Sequence, residues 1–583
     1  MSFFRPGMTA PDLSLARGTH NRDVAFWRAF TRPVHYAALV AGALPALAFP
    51  APNLEFLAWF GLVPGMLLFR AAPSAREAAV RGWWFGTGFL VASLYWLVLN
   101  LGPGLLLVAA LIGVLWTGVG GATWGLLRPP VPPLRALTAV VVVPSCWLVA
   151  DWVRSWQGLG GPWAVYGASQ WQHPVFLALA ALGGVWLVSF ALVAANTGIL
   201  IWVVAPRIPV RLIGAATAAI AIAAGPVAYA LTSAAPVSRQ VTVAMVQPGV
   251  FNQAGLRDHA SQRLSAGLVS DHADLIVWGE SSVNDDLDLP RYASLLHQLE
   301  LLSATDGAQL LVNQDSIAPG GAKSKVAVLI GSNGIDGRYV KTRLVPFGEY
   351  IPFRQQLGWL TKISKAAPQN MIAGTGAHVM RVTPSRSAPL TIGVLICFES
   401  AFPDMSRVDT DQGAQLIVYQ TSDSTWQAGW EWVLAQHAAL SALRAAESGR
   451  PAIQAALTGD SVAFDQRGRL LAWRGSTFRG VAVVRIALPS VSSRTLYDRL
   501  GDYVPWIAVA IVVLSAAIAR IRTGRLRIRR PGPAGIPLDG SPGRDRSGVA
   551  LRPAQDGPAW TGTGTDGSGS GDGNPAAAPR TEQ

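Results

Sequence analysis

The chain has 583 residues, of which 51% are hydrophobic and 14% charged, with a formal net charge of +13. Soluble globular chains average about a quarter charged residues, so this composition and the mean hydropathy of +0.33 exclude an ordinary soluble enzyme. Its two cysteines, Cys146 in an apolar run and Cys397 in a polar stretch, exclude a disulfide framework.

Acidic residues are scarce up to residue 239, where Asp12, Asp23, Glu55, Glu77 and Asp151 stand alone, and ordinary in frequency from 240 to 502. That split predicts a membrane part followed by one water-exposed domain. Residues 1–33 are polar and arginine-bearing rather than basic-then-apolar, so no cleavable signal peptide is expected and the segment is assigned to the cytoplasm. A crossing needs about 20 apolar residues. Such stretches run over 34–50, 52–69, 82–100, 103–127, 136–153, 175–205 and 212–231, predicting a seven-helix bundle across 34–232. An eighth, 503–519, predicts a final transmembrane helix at 503–520. The first two stretches are short and broken by Pro45, Pro50 and Pro52.

With the N-terminus inside, the inner loops hold Arg28 and Arg32; Arg70, Arg76 and Arg81; Arg128 and Arg135; Arg207 and Arg211; and the run from Arg520 to Arg530. The outer loops hold only Arg154. Under the positive-inside rule this asymmetry places the polar domain, 238–490, outside the cytoplasm. It also accounts for the net charge without a nucleic-acid partner. The outer loop 154–174 is rich in Trp and Gly. An interfacial aromatic belt is its simplest reading; a lipid-handling surface between bundle and domain is the functional one. Residues 521–583 begin basic and turn Gly, Pro and Ser rich, the composition of a disordered cytoplasmic tail.

Within the polar domain, short β-branched runs alternate with helical stretches: VTVAMVQ, DLIVWGE, VAVLIGS, RYVKTRLV, LTIGVLICFE, QLIVYQTS, PAIQAALTG and VAVVRIAL, with a helix expected over 428–448. This predicts an α/β architecture with sheets covered by helices. Glu280, Lys341 and Cys397 each stand at or near the end of such a run, where open α/β sheets gather ligands. Taken singly, a cysteine is more often a small buried hydrophobe, a strand lysine a solvated residue, and a glutamate a cap or surface acid. Together they form a working set. A thiol needs a base or nearby positive charge to attack readily. Glu280 can take its proton, and Lys341 can stabilise an oxyanion. His437, on the expected helix, leaves a Cys–His pairing open. No zinc-spacing motif or phosphate loop is present, so neither a metal nor an organic cofactor is expected.

At these residues the domain resembles the nitrilase superfamily, whose members carry a Glu–Lys–Cys triad on an αββα sandwich. IVWGE (276–280), YVKTRLVPFGEYIPF (339–353) and ICFESAFP (396–403) more narrowly resemble the apolipoprotein N-acyltransferases. So do ALAFPAPNLEFLAWFGLVP (46–64) and GGPWAVYGASQ (160–170) in the membrane part. The fold this implies is a multi-pass α-helical membrane bundle of about eight crossings plus an extracytoplasmic nitrilase-like domain in the cell membrane. The activity it implies is a ping-pong transfer. Cys397 would take an acyl chain from a glycerophospholipid and pass it to the N-terminal amine of a diacylglyceryl-cysteine lipoprotein. Glu280 is the implied base, Lys341 the oxyanion stabiliser, and Glu349 and Glu399 supporting acids.

The sequence departs from the family pattern in Phe398 where Tyr is common, in TSDSTWQ (421–427), and in QPGVFNQAGLRD (247–258), which lacks a usual Trp. These touch the pocket rim and acyl or acceptor choice. A membrane-anchored amidase that releases its acyl group to water is the nearest rival. A coupled transporter is disfavoured, because only Glu55 and Asp151 lie in or at the edge of the first seven crossings. An inactive scaffold is disfavoured by the intact triad.

Overall fold

The structure, a computed structural model, describes residues 32–528 apart from 250, 252–254, 285, 319, 363–366 and 427–429. Of the expected N-terminal segment only Arg32 and Pro33 are described, and the expected tail from Arg529 onward lies outside the described residues, as do parts of the segments 247–258 and 421–427.

Among the described residues, five helices are long and apolar enough to cross a membrane: Gly104–Leu127, Pro133–Arg154, Pro174–Val204, Ile208–Leu231 and Tyr503–Ile521. Ala75–Ser93 together with Tyr95–Leu101 makes a sixth, bent by 72°. The first two expected crossings take a shorter form. Helix Pro33–Ala43 tightens into a 3-10 segment, Leu44–Ala48, and 52–69 divides into a 3-10 turn, Glu55–Trp59, and helix Val63–Arg70. Pro50 and Pro52 explain the interruption, since each lacks an N–H and biases its predecessor away from helix.

The polar half builds two six-stranded sheets. The strands are β1 Val237–Gln247, β2 Leu275–Trp278, β3 Gln309–Ile317, β4 Lys323–Gly331, β5 Gly334–Val340, β6 Val379–Val382, β7 Leu390–Ile396, β8 Leu416–Thr421, β9 Ala452–Ala456, β10 Ser461–Phe464, β11 Leu470–Arg474 and β12 Gly480–Pro489. One sheet runs β12-β1-β2-β3-β4-β5, the other β11-β10-β9-β8-β7-β6. Each has a parallel centre, β1-β2-β3 and β7-β8-β9, with antiparallel flanks. Every run expected from the sequence contains a strand, and the expected helix appears as Glu431–Ser448. The strands not foreseen are β3, whose second half (NQDSI) interrupts the apolar run, and β6, β10 and β11, which are too short to show a period.

Membrane and polar halves are joined by specific polar contacts. Helix Pro174–Val204 breaks at Gly183–Gly184, where Gly184 takes φ +69°. A Cβ there would also meet the Tyr497 ring at 2.6 Å, so only glycine fits. The break frees the Val185 N–H, which donates to Glu447 Oε1 at 2.7 Å. Beyond β12, Asp502 sits just before helix Tyr503–Ile528 and accepts from Trp152 Nε1 (3.1 Å), Trp186 Nε1 (2.8 Å) and the Tyr497 hydroxyl (2.7 Å). One carboxylate thereby ties the last helix to two others. Asp502→Ala strands these donors and is expected to destabilise the fold by about 2–4 kcal/mol, with Asp502→Asn losing less. Thermal unfolding in detergent reads this directly, and an unchanged midpoint in the alanine variant would exclude the tie.

Candidate active site

The three residues singled out from the sequence arrive from different elements and meet. Glu280 lies two residues past β2, and its N–H donates to the Thr421 carbonyl at the end of β8, in the other sheet, at 3.0 Å. The preceding Gly279 allows this crossing, since a Cβ would lie 2.0 Å from the Leu457 nitrogen. Lys341 follows β5, pinned by its N–H to the Lys325 carbonyl on β4 at 2.9 Å. Cys397 follows β7 and opens the 3-10 turn Cys397–Ala401 with φ +52°. A non-glycine residue in that region is strained by about 1–2 kcal/mol and persists only where its surroundings hold it.

Those surroundings are polar and buried. Lys341 is fully buried, and its Nζ donates to Glu280 Oε1 at 3.1 Å and Glu349 Oε1 at 2.6 Å. Glu349 Oε2 accepts the Val345 N–H at 2.8 Å, tying the PFGEY loop to the same cation. Burial works against both charges. For Glu280, Lys341 and then Lys325 outweigh it, and the carboxyl is held below its ordinary value. For Lys341, Glu280 and Glu349 outweigh burial and hold the ammonium charged well above its usual range. Cys397 goes the other way. Burial and then the Glu280 carboxylate push the thiol well up, with Lys341 pulling it partly back. The resting site is therefore a neutral thiol beside an ionised carboxylate and a fixed ammonium.

Glu399, two residues past Cys397, is fully buried and holds the two loops in register. Its Oε1 accepts from the Tyr339 hydroxyl (2.8 Å) and from the N–H groups of Thr342 (2.7 Å) and Arg343 (2.9 Å), while Oε2 accepts the Ile396 N–H (2.7 Å). The backbone just after Lys341 is thus bonded to the backbone just before Cys397. Burial still raises its carboxyl despite these bonds.

The Cys–His pairing left open above takes a different form. His437 Nε2 meets the Cys397 carbonyl at 3.2 Å and Ser400 Oγ at 3.0 Å, while Nδ1 meets Asp423 Oδ1 at 3.0 Å. Among the described residues, Cys397, Asp423 and His437 offer atoms within 4.8 Å of one another. The imidazole nitrogens are engaged in these hydrogen bonds, and no ion is assigned. Sequence reasoning had noted His437 and the stretch holding Asp423 but had no periodicity by which to join them.

Loop 154–174 is also more than an interfacial belt, because its second half is buried and reaches the turn Cys397–Ala401. Trp163 stacks over Phe398 at 6.5 Å and stands edge-on to His437 at 5.3 Å and to Trp96 at 5.2 Å. A Cβ on Gly161 would meet the rings of Phe402 and Phe398 at 2.9 and 3.0 Å. Trp96 in turn packs on Trp426, and Tyr95 stacks on Trp430. An aromatic wall therefore runs from the bent helix of the bundle to the residue beside Cys397.

Residues 41–198 match the model of the apolipoprotein N-acyltransferase N-terminal domain, and residues 242–494 match that of the carbon-nitrogen hydrolases. The chain belongs to the apolipoprotein N-acyltransferase family. Among curated members, that of Geobacter metallireducens is 27% identical over 525 residues, covering 84% of this chain and 96% of its own. That of Rhizobium meliloti is 29% identical over 534 residues, covering 83% and 96%. Membership makes the protein a membrane acyltransferase of the nitrilase superfamily.

The shared ammonium has a measurable consequence. Lys341→Met leaves Glu280 and Glu349 buried with no cation between them, an expected loss of about 3–5 kcal/mol at neutral pH. One carboxyl must then take a proton, so its folded value is raised and the variant should gain stability as pH falls toward about 4.3. Wild type draws no such gain from this pair. Its lowered Glu280 contributes stability present above about pH 4.3 and lost as pH falls through the folded value. Thermal midpoints of both proteins between neutral and mildly acidic pH test this; parallel slopes would contradict it.

Proposed function

We propose that the protein transfers an acyl chain from a glycerophospholipid to the N-terminal amine of a diacylglyceryl-cysteine lipoprotein, through a thioester on Cys397, at the outer face of the cell membrane. The observation that carries the reading is the neutral Cys397 thiol set beside ionised Glu280 and the buried Lys341 ammonium with which Glu280 pairs. A resting thiolate is disfavoured there, so proton transfer to Glu280 accompanies attack of Sγ on the ester carbonyl. Negative charge then builds on the carbonyl oxygen while it shrinks at Glu280, and Lys341 is placed to follow it. The protonated Glu280 gives its proton to the departing glycerol oxygen, releasing a lysophospholipid and leaving the acyl-thioester. In the second half, the lipoprotein amine attacks the thioester, Glu280 takes the amine proton, and it returns a proton to Sγ as the amide forms.

The membrane half supports this choice of substrates over water-soluble ones. Drawing a lipid chain into water costs about 0.8 kcal/mol per CH2, and the aromatic wall from Tyr95 and Trp96 to Trp163 supplies an apolar surface leading to the turn of Cys397. An amidase that discharges to water is the second reading, favoured by the carbon-nitrogen hydrolase match itself.

Intact mass measurement separates the two. Wild type incubated with phospholipid vesicles is expected to gain one acyl mass, absent in Cys397→Ala, and to lose it on adding a diacylated lipopeptide whose amine becomes acylated. Equal discharge with and without lipopeptide would favour the amidase, and an equal adduct on the alanine variant would remove Cys397 from the reaction. Sidedness has its own test. A cysteine placed at exposed Val269 should react with a membrane-impermeant maleimide in cells made permeable only at their outer layer. One at Arg207 should react only after the inner membrane is opened, and the reverse pattern would invert the topology.

A further inference from the structure

Beyond the triad, a second buried polar pair lies against the nucleophile turn, and neither the charge relay nor the packing derived above uses it. His437 is on helix Glu431–Ser448, with its ring buried between Asp423, Ser400, the Cys397 carbonyl and the edge of Trp163. The donor arithmetic is restrictive. Nδ1 meets a carboxylate oxygen of Asp423, so a proton on Nδ1 makes that contact a hydrogen bond. A carbonyl oxygen only accepts, so a proton on Nε2 is needed to bond that of Cys397. Ser400 Oγ fits either way. A proton on both nitrogens satisfies both contacts at once, whereas a neutral ring with Nδ1–H and the Ser400 hydroxyl donating to Nε2 leaves the Cys397 carbonyl unaddressed. The charge of the doubly protonated ring is compatible with the surroundings: burial opposes it, but Asp423 and then the contact to the Cys397 carbonyl favour it, and the net shift is upward. The charged groups around the ring are Asp423, Glu280 and Asp460, all acidic.

We propose that His437, oriented by Asp423, is a positioning residue that holds the Cys397 peptide in its left-handed conformation and so aims Sγ at Glu280. The contact falls on the carbonyl of the strained residue itself. A donor at that oxygen fixes the peptide plane after Cys397, and with it the direction of the Cα–Cβ bond. Glu399 secures the residue before the nucleophile and His437 the residue itself. Protonated on both nitrogens, the ring also offsets the Asp423 carboxylate, whose field otherwise disfavours the thiolate. Through Trp163 the same ring touches the loop that closes the membrane half over the site.

This rests on Cys397 being the nucleophile, and the first readout of its test, thiol alkylation, does not depend on the acyl donor or acceptor. The rate at which iodoacetamide alkylates Cys397 at fixed pH, followed by peptide mass so that Cys146 is counted separately, reports presentation of the thiol. His437→Gln keeps an amide N–H long enough to reach the Cys397 carbonyl, whereas His437→Asn is too short. Both are polar and differ by one methylene, so a folding defect should affect them alike. The asparagine variant is expected to lose about 100-fold in alkylation rate and in kcat, with KM nearly unchanged, the size expected for a misplaced reacting group. The glutamine variant should recover to within about 10-fold of wild type. Asparagine and glutamine variants with equal alkylation rates, or a loss confined to KM, would overturn the positioning role. Normal alkylation trends without acyl transfer would leave it standing and refute the transferase reading instead.

Discussion

The ammonium of Lys341 is the charge on which the site depends. Buried charges are expensive to desolvate and tolerable only when paired and hydrogen-bonded. Here one cation is hydrogen-bonded to Glu280 and Glu349 together, and each carboxylate brings its own loop with it. Without the cation, two acids from separate loops would repel each other inside the sandwich. With it, the loop after β2, the loop after β5 and the PFGEY segment are drawn to one point, where Cys397 arrives from β7. The charge states follow from the same pairing: Glu280 is kept ionised, Lys341 charged and the Cys397 thiol neutral.

A second chain of contacts makes the membrane half part of the enzyme. The break at Gly184 exposes one N–H of a membrane helix to Glu447; Glu447 pairs with Arg444 at 2.9 Å, and Arg444 donates to the Ala401 carbonyl at 3.0 Å, the last residue of the nucleophile turn. Trp163 reaches the first part of that turn from the loop between two crossings. The turn is therefore gripped at one end by a ring from the bundle and at the other by a polar relay ending in the bundle. Side chains that pack this closely transmit small displacements, which is the physical reason a lipid-facing helix array and a soluble-type sandwich work as one compact unit.

Much of this was legible in the residue order. Apolar runs long enough to cross a bilayer announce helices, because in lipid the backbone must satisfy itself. Short β-branched runs ending in Glu280 and Cys397 announce strands delivering chemistry to their carboxyl ends. Where reading failed, a local pattern was missing or broken. Pro50 and Pro52 cut the first apolar region into pieces whose lengths hydropathy does not resolve. In β3, Asn313 bonds Gln420 of the other sheet at 3.3 Å and Gln314 bonds the loop at Asp286 and Leu287, so the strand lacks the apolar alternation by which strands are recognised.

By itself, then, the sequence determined the class of the protein and the identity of its reactive groups, since composition, hydropathy and the motifs around Glu280, Lys341 and Cys397 are properties of short stretches. Only the tertiary structure decided their states and their company. That Glu280 is ionised, that Cys397 is strained and protonated, that Glu399 bonds four donors, and that His437 addresses a carbonyl rather than a thiol all depend on distances between residues far apart in the chain. Charge, burial and hydrogen bonding act through space, and a linear order carries no record of which loops the fold will bring within 3 Å of one another.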